Sequence, residues 1–375
     1  MRYYEDMQHT SQNRLPPRAH YIPEGCAQHQ LLNGTWQFAF FPDGDAAGEP
    51  QQWAEIPVPA CWELHGYEAP NYSNVNYPFP VDPPYVPNEN PLGIYQRVFQ
   101  VADDALRTYL MLEGVCSCAE VFVNGHYAGF TQGSHLPAEF DLTALVHPGE
   151  NTLRIRVHKW CVGSYLEDQD FLRFHGIFRD VYLLRRPEGH LTDFALLTDL
   201  QSVKITTDRP ARVRILDGIR VIAQRMCHGS ATITIPDAKL WNAEQPHLYT
   251  LELRCAGEII RRRFGLRTVG VSAQRELLIN GAPVKLRGVN HHDTTPDGGW
   301  VITPEQIRND LLLMKRLNIN TIRTSHYPPV PYLTELADEL GFYVVLENDV
   351  EAHGFIQRNP NVPYHYDNHA PDWPG

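Results

Sequence analysis

Along the first half of the chain, apolar and polar positions alternate with a period of two. Trp36, Phe38 and Phe40 fall on one face of a strand. Leu153, Ile155 and Val157 do the same on another, with Arg154, Arg156 and His158 on the opposite side, the pattern of half-buried β-sheet. Val121 to Val123 runs into Asn124-Gly125 and on into His126 to Phe130, and Asn-Gly supplies the two positive-φ positions of a tight hairpin. Many short strands, frequent turns and almost no helical period predict a β-sandwich from about Asn33 to about Pro187, read as a jelly roll. After the linker Pro187-Glu188-Gly189 the strands continue in a smaller segment. Val203 to Thr206, Arg212 to Leu216, Ala231 to Ile235 and Tyr249 to Arg254 predict a compact second sandwich.

The pattern changes after Leu277 to Ile279 and a second Asn-Gly turn at Asn280-Gly281. Val284 to Asn290 reads as a strand. Thr303-Pro304-Glu305-Gln306 reads as a helix start, with a capping hydroxyl, proline at the first helical position and Gln306 placed to close a capping box. Ile307, Leu311 and Met314 then recur at helical spacing. Ile319 to Thr324 is the next strand, Tyr332 to Leu340 the next helix, ending at Gly341, and Phe342 to Leu346 an apolar strand. This βαβαβ order opens a doubly wound sheet or a (β/α)₈ barrel. No glycine-rich phosphate loop follows the first strand, which favours the barrel. About three strands precede a proline-rich, loop-like tail from Asn359 to Gly375, whereas a closed barrel has eight, so only the first part of one is expected.

Composition narrows the function classes. At 375 residues the chain is too long for one core, and two or three domains are expected. No run approaches the ~20 apolar residues that span a bilayer, so no membrane role is expected. The first 13 residues are polar, with Glu5 and Asp6 where a secretory signal has a basic start and an apolar block, so the expected location is the cytoplasm. Seven scattered cysteines do not form a disulfide framework and are expected to be reduced and mostly buried. Cys116 and Cys118 share a strand face, but without a second pair at ligand spacing they are read as structural. A net charge of −12 disfavours nucleic acid and suits a neutral substrate.

In parallel α/β folds ligands sit at the carboxyl ends of strands. Here those ends carry Asn290-His291-His292-Asp293, then Arg323-Thr324-Ser325-His326-Tyr327, then Glu347-Asn348-Asp349-Val350-Glu351-Ala352-His353. Imidazoles and carboxylates suit the many hydroxyls of a sugar. Glu351 and His353 are two apart, so on extended backbone they offer an oxygen and a nitrogen to one cation; the alternative is a solvated loop pair. A retaining glycosidase needs two carboxyl groups ~5 to 5.5 Å apart. Four extended residues separate the backbones of Glu347 and Glu351 by roughly 13 Å, and Asp349 points along the same face, so the hydrolytic pair is not expected within these strands.

Asn320-Thr321-Ile322-Arg323-Thr324-Ser325-His326-Tyr327-Pro328 resembles the first signature of glycoside hydrolase family 2, and Leu317 to Gly354 continues in register with it. The likeness extends to Leu32-Asn33-Gly34-Thr35-Trp36-Gln37-Phe38, to Asn71 to Pro78, to Ser164 to Asp170 and to Gly176 to Asp180. These stretches resemble the β-galactosidase branch more than the glucuronidases or mannosidases. The resemblance implies a jelly-roll sugar-binding domain over 1–187, an immunoglobulin-like β-sandwich over 188–268 and the N-terminal part of a TIM-barrel catalytic domain over 269–375. It further implies that Asn74, Asp170, His292 and His326 bind sugar hydroxyls, that Arg323 orients the nucleophile, that Glu351 and His353 hold magnesium, and that Asp170 sits at a sodium ion. The acid/base and nucleophile glutamates of that family do not occur in this sequence, so the 375 residues alone are expected to be inactive. Val162 stands where some relatives have an aspartate near a structural magnesium. The implied partners are a β-galactoside, further copies of the full-length enzyme, and a complementing chain carrying the rest of the barrel. The alternatives are a non-catalytic galactoside-binding or complementing subunit and, within the family, a β-glucuronidase.

Overall fold

The computed structural model describes residues 2–356; the tail read as loop-like from Asn359 onward lies outside them. The period-two segments form a jelly roll of two antiparallel sheets. One has seven strands, in spatial order Ser11–Gln12, His126–Gln132, Cys118–Val123, Gly149–His158, Leu92–Val101, Gly34–Phe41 and Ala54–Val58. The other has four, Ala138–Asp141, Arg107–Leu112, Val181–Arg186 and Gln28–Leu31. Alternation decides which side chains enter the core: Trp36, Phe38, Tyr95, Val121, Ile155 and Leu183 are buried together. The Asn124-Gly125 turn forms as expected, with φ of 52° and 80°.

The second sandwich packs a three-stranded sheet, Phe194–Thr198, Ser202–Thr207 and Ser230–Thr234, against a five-stranded one. The edge of the larger sheet is Glu24–Gly25, which pairs with Glu258–Phe264. Tyr21 is buried in this second core. The chain before Leu31 therefore ties the two sandwiches together, which no local periodicity reveals. A buried Arg186–Glu258 ion pair at 2.7 Å reinforces the join.

Three parallel strands follow, Gly288–His291, Thr321–Thr324 and Tyr343–Val345, side by side in that order. Helix α1 (Pro304–Arg316) starts at Thr303, whose hydroxyl accepts from Gln306 N at 3.2 Å while the Gln306 side chain accepts from Thr303 N at 2.8 Å. Helix α2 (Pro331–Leu340) ends at Gly341 with φ of 78°. Ile307, Leu311, Ile322, Leu333, Leu336 and Phe342 close the core between helices and sheet.

The first parallel strand is shorter than the expected Val284 to Asn290. Asn320 accounts for this. Its side chain accepts from Arg287 N at 2.8 Å and donates to Lys285 O at 3.0 Å, and of Lys285 to Arg287 only Arg287 O bonds the neighbouring backbone, accepting from Asn320 N at 3.0 Å, so the paired strand begins at Gly288. All seven cysteines are free thiols, five of them buried. Among the described residues no helix is long and apolar enough to cross a membrane.

Candidate functional site

The site is built where the first sandwich meets the carboxyl ends of the parallel strands. His292 follows the first strand and His326 the second; their rings lie edge to face with centroids 5.7 Å apart. His326 Nδ1 lies 3.0 Å from Glu347 Oε2 beyond the third strand, and Arg323 forms an ion pair with the same carboxylate. Thr324 Oγ1 accepts from Glu347 N at 3.0 Å. Glu347 thus joins the second strand end to the third, and sequence spacing gave no sign of this. Burial lowers the pKa of His292, and the neighbouring His326 and His291 lower it further. Neutral at physiological pH, its ring offers one donor and one acceptor to a hydroxyl.

Asp293 works differently from its neighbours. It is buried, accepts from Val330 N at 2.7 Å at the start of α2, and lies 3.6 Å from Arg179 of the first sandwich. Its pKa stays below the usual carboxylate range because His291, Arg179 and the Val330 amide outweigh the cost of burial. The Arg179 guanidinium also donates to Pro328 O at 2.8 Å, clamping sandwich to barrel segment. Tyr327 stacks on His135 with ring centroids 3.9 Å apart, and Phe171 stacks on Trp300 at 5.0 Å. These rings form a buried aromatic seam beneath the site.

Asp349 does not face the open strand ends. It is buried and accepts from His135 N at 2.9 Å, with His135 Nδ1 at 3.1 Å and Gln169 Nε2 at 3.2 Å. It holds the third strand end against the sandwich.

The strip Leu166 to Arg173 of the sandwich borders the loop that follows. Glu351 N donates to Leu166 O at 2.7 Å and Asp168 N donates to Glu351 O at 3.0 Å. Asp168, fully buried, accepts from Gly354 N at 2.7 Å and from Arg173 Nη2 at 3.0 Å. Burial pushes the Asp168 carboxyl up to about 6. Arg173 also reaches Ser73 Oγ at 2.7 Å, tying in the Asn71–Ser73 strand. That strand pairs antiparallel with Phe171–Arg173, Ser73 opposite Phe171. Asn74, which is exposed, and Asp170 each lie one residue beyond the end of this pairing. Asp170 accepts from Tyr72 OH at 2.7 Å and lies near enough to His292 to act on its charge.

Glu351 Oε1 and His353 Nδ1 are 2.7 Å apart. They meet although the backbone is not extended throughout, since a short helix begins at His353. One carboxylate oxygen and one imidazole nitrogen converging on a point fit part of a divalent-cation shell. Among the described residues, however, no group of three His, Cys, Asp or Glu could hold a metal.

The structure therefore gathers His292, His326 and Arg323 at the strand ends, brings Asp170 in from the sandwich, and sets Glu351 beside His353 on the bordering loop. Asp168, Arg173 and His135 were not singled out by sequence reasoning, and Glu347 was weighed only as one of a hydrolytic pair. Asp168 had a signal, because it sits in the Glu-Asp-Gln-Asp run that carried the resemblance. His135 had none.

Comparison with known proteins gives the family. Residues 29–187 match the profile of the sugar-binding domain of glycosyl hydrolases family 2, residues 189–267 that of a further domain of the same family, and residues 270–374 that of its TIM barrel domain. The chain is 41% identical to a β-galactosidase of Actinobacillus pleuropneumoniae over 96% of its own length and 38% of that protein's. It is 36% identical to a β-galactosidase of Staphylococcus xylosus over 95% of its length and 39% of the relative's. It thus spans about two fifths of the proteins it resembles. Among solved structures, a β-glucuronidase of Bifidobacterium dentium complexed with coumarin-3-O-glucuronide superposes with a TM-score of 0.78 at 24% identity, over 91% of this chain and 65% of that one.

Proposed function

We propose, from the premise that the chain belongs to glycosyl hydrolase family 2, that it is the N-terminal portion of a β-galactosidase and builds one side of the pocket for a terminal galactose. The observation that supports this best is the edge-to-face meeting of His292 and His326 at the strand ends, with the charge of Asp170 from the sandwich acting on His292. The β-galactosidase relatives at 41% and 36% identity favour galactosides. The glucuronidase structures speak to fold alone.

In this reading the chain's own residues bind and orient. The neutral His292 ring and His326 exchange hydrogen bonds with ring hydroxyls, while the Asp170 carboxylate accepts from a hydroxyl on the other side. Asn74, just past the strand that pairs with Phe171–Arg173, closes the rim. Arg323 supplies fixed positive charge beside the reacting centre, where an anionic nucleophile would be oriented. Glu351 and His353 would hold magnesium together with a third ligand, and Asp170 would sit at sodium. The magnesium would add positive charge near the departing oxygen.

Glu347 makes a poor member of a retaining pair, because it is already paired with Arg323 and His326. Two carboxyl groups flanking the scissile bond are required, so the remaining barrel strands must provide them. The test is hydrolysis of chromogenic galactoside and glucuronide by the purified 375-residue chain and by the same chain extended through a complete barrel. Galactoside turnover only in the extended protein is expected. Turnover by the 375 residues alone, or a preference of the extended protein for glucuronide, would overturn the proposal.

A further inference from the structure

We infer that Glu347 is a positioning residue that fixes the neutral His326 ring with its proton on Nδ1, which leaves Nε2 as an acceptor and requires the hydroxyl that meets it to donate. That hydroxyl belongs to the galactose pocket proposed for the complete protein, and to this extent the inference rests on that reading; the state of the ring follows from the strand ends alone.

Backbone places Glu347 before its side chain acts. In the parallel register Arg323 lies opposite Val345, and Glu347 comes two residues later. Its N–H donates at 3.0 Å to the hydroxyl of buried Thr324. The carboxylate then divides its two oxygens. Oε1 takes the ion pair with Arg323, and Oε2 lies 3.0 Å from His326 Nδ1. The Glu347 side chain is 21% exposed, which limits competition from water for either oxygen.

A carboxylate paired with a guanidinium accepts hydrogen bonds and donates none. The proton between Glu347 and His326 therefore comes from the ring. A neutral imidazole carries one N–H, and the bond made by one nitrogen decides the state of the other, so Nε2 presents a lone pair. Among the described residues the ring makes no hydrogen bond besides the one through Nδ1, and that lone pair is open to a ligand. His292, whose ring lies edge to face with it, has no side-chain hydrogen bond among the described residues to fix its proton. The two rings are thus not equivalent: His292 can donate or accept, whereas neutral His326 only accepts.

The first measurement needs no sugar. Nitrogen NMR of the 375-residue chain, labelled at its histidine rings and held at pH ~9 where an ordinary histidine is neutral, reads which ring nitrogen bears the proton; the His326 signals are those missing from His326→Gln. A proton on Nδ1 is expected. It should stay there in Glu347→Gln, whose amide oxygen still accepts, and no longer be fixed there in Glu347→Leu, which offers no acceptor. A residue that only held the strands together would leave the ring unmoved by either change. A proton on Nε2 in the unaltered chain, or a ring that ignores Glu347→Leu, would overturn the inference.

The second measurement is binding of galactose and of its deoxy and deoxyfluoro analogues to the protein extended through a complete barrel. The hydroxyl that meets His326 is the one whose removal weakens binding in the unaltered protein and not in His326→Ala. Fluorine there accepts but cannot donate, so the deoxyfluoro sugar should bind about tenfold more weakly than galactose and no better than the deoxy sugar. A deoxyfluoro sugar bound as tightly as galactose would sink the assignment of His326 as an acceptor. Absence of galactose binding with the proton still on Nδ1 would instead refute the galactose pocket and leave the role of Glu347 standing.

Discussion

The first sandwich and the parallel sheet solve the problem of burial in opposite ways. In the sandwich, two sheets face each other and every inward side chain meets another inward side chain, as Trp36, Phe38 and Leu183 do. In the parallel sheet only one face is covered. Ile322 is buried under α1 and α2, while Arg323 and Val345 on the other face are 45% and 44% exposed. Both outer strands of this sheet also lack a neighbour among the described residues. A sandwich completes its core within itself, whereas a segment of barrel relies on the strands that close it. Its stability in these 375 residues must come from α1, α2 and the aromatic seam against the sandwich.

The contrast breaks most directly at the sandwich core. Trp36 is 1% exposed, with its indole N–H donating to Leu32 O at 2.8 Å. Trp36→Ala should cost about 3–5 kcal/mol, read as a lower urea midpoint for the sandwich transition. A loss below ~1 kcal/mol would mean that the sandwich does not depend on its own core.

A second effect, a slope instead of a single loss, separates the regions by pH. His158 lies under the N-terminal turn, beside Tyr4 with ring centroids 4.5 Å apart, and is 3% exposed. Burial, helped by Arg156, lowers its pKa to about 3. The unfolded chain therefore binds a proton that the folded one refuses. Stability from this group is fully present above ~6.5 and is lost as pH falls toward 3, by up to about 1.4 kcal/mol per pH unit. His158→Gln should flatten that acid-side slope in pH-dependent urea melts. An unchanged slope would place the acid sensitivity elsewhere.

How legible each region was follows from the range of the forces that form it. Hairpins, caps and amphipathic strands depend on residues a few positions apart, so Asn124-Gly125, Thr303 with Gln306, and the inward Trp36 and Phe38 could be read directly. The strand-end histidines could be read too, because parallel strands expose their carboxyl ends by rule. What could not be read were contacts across hundreds of residues. Asp349 meets His135, and Asp168 meets Gly354; spacing carries no trace of either. The strand expected from Val284 is shortened by a contact 33 residues away, since the Asn320 side chain bonds Arg287 N and Lys285 O.

The finest test lies within the parallel sheet itself. Val345 follows Val344, and neighbours on a strand point to opposite faces. Val344 packs against the helices, which leaves Val345 on the side that a complete barrel would fill. In the 375-residue chain Val345→Thr exchanges a methyl for a hydroxyl that water can satisfy, so its urea midpoint should move by no more than the equivalent of ~0.5 kcal/mol. In a protein extended through the whole barrel the same hydroxyl would be buried among apolar side chains and cost about 1–3 kcal/mol. Equal effects in both would mean that this face is as covered in the short chain as in the long one, and the contrast between self-contained sandwich and open sheet would fall.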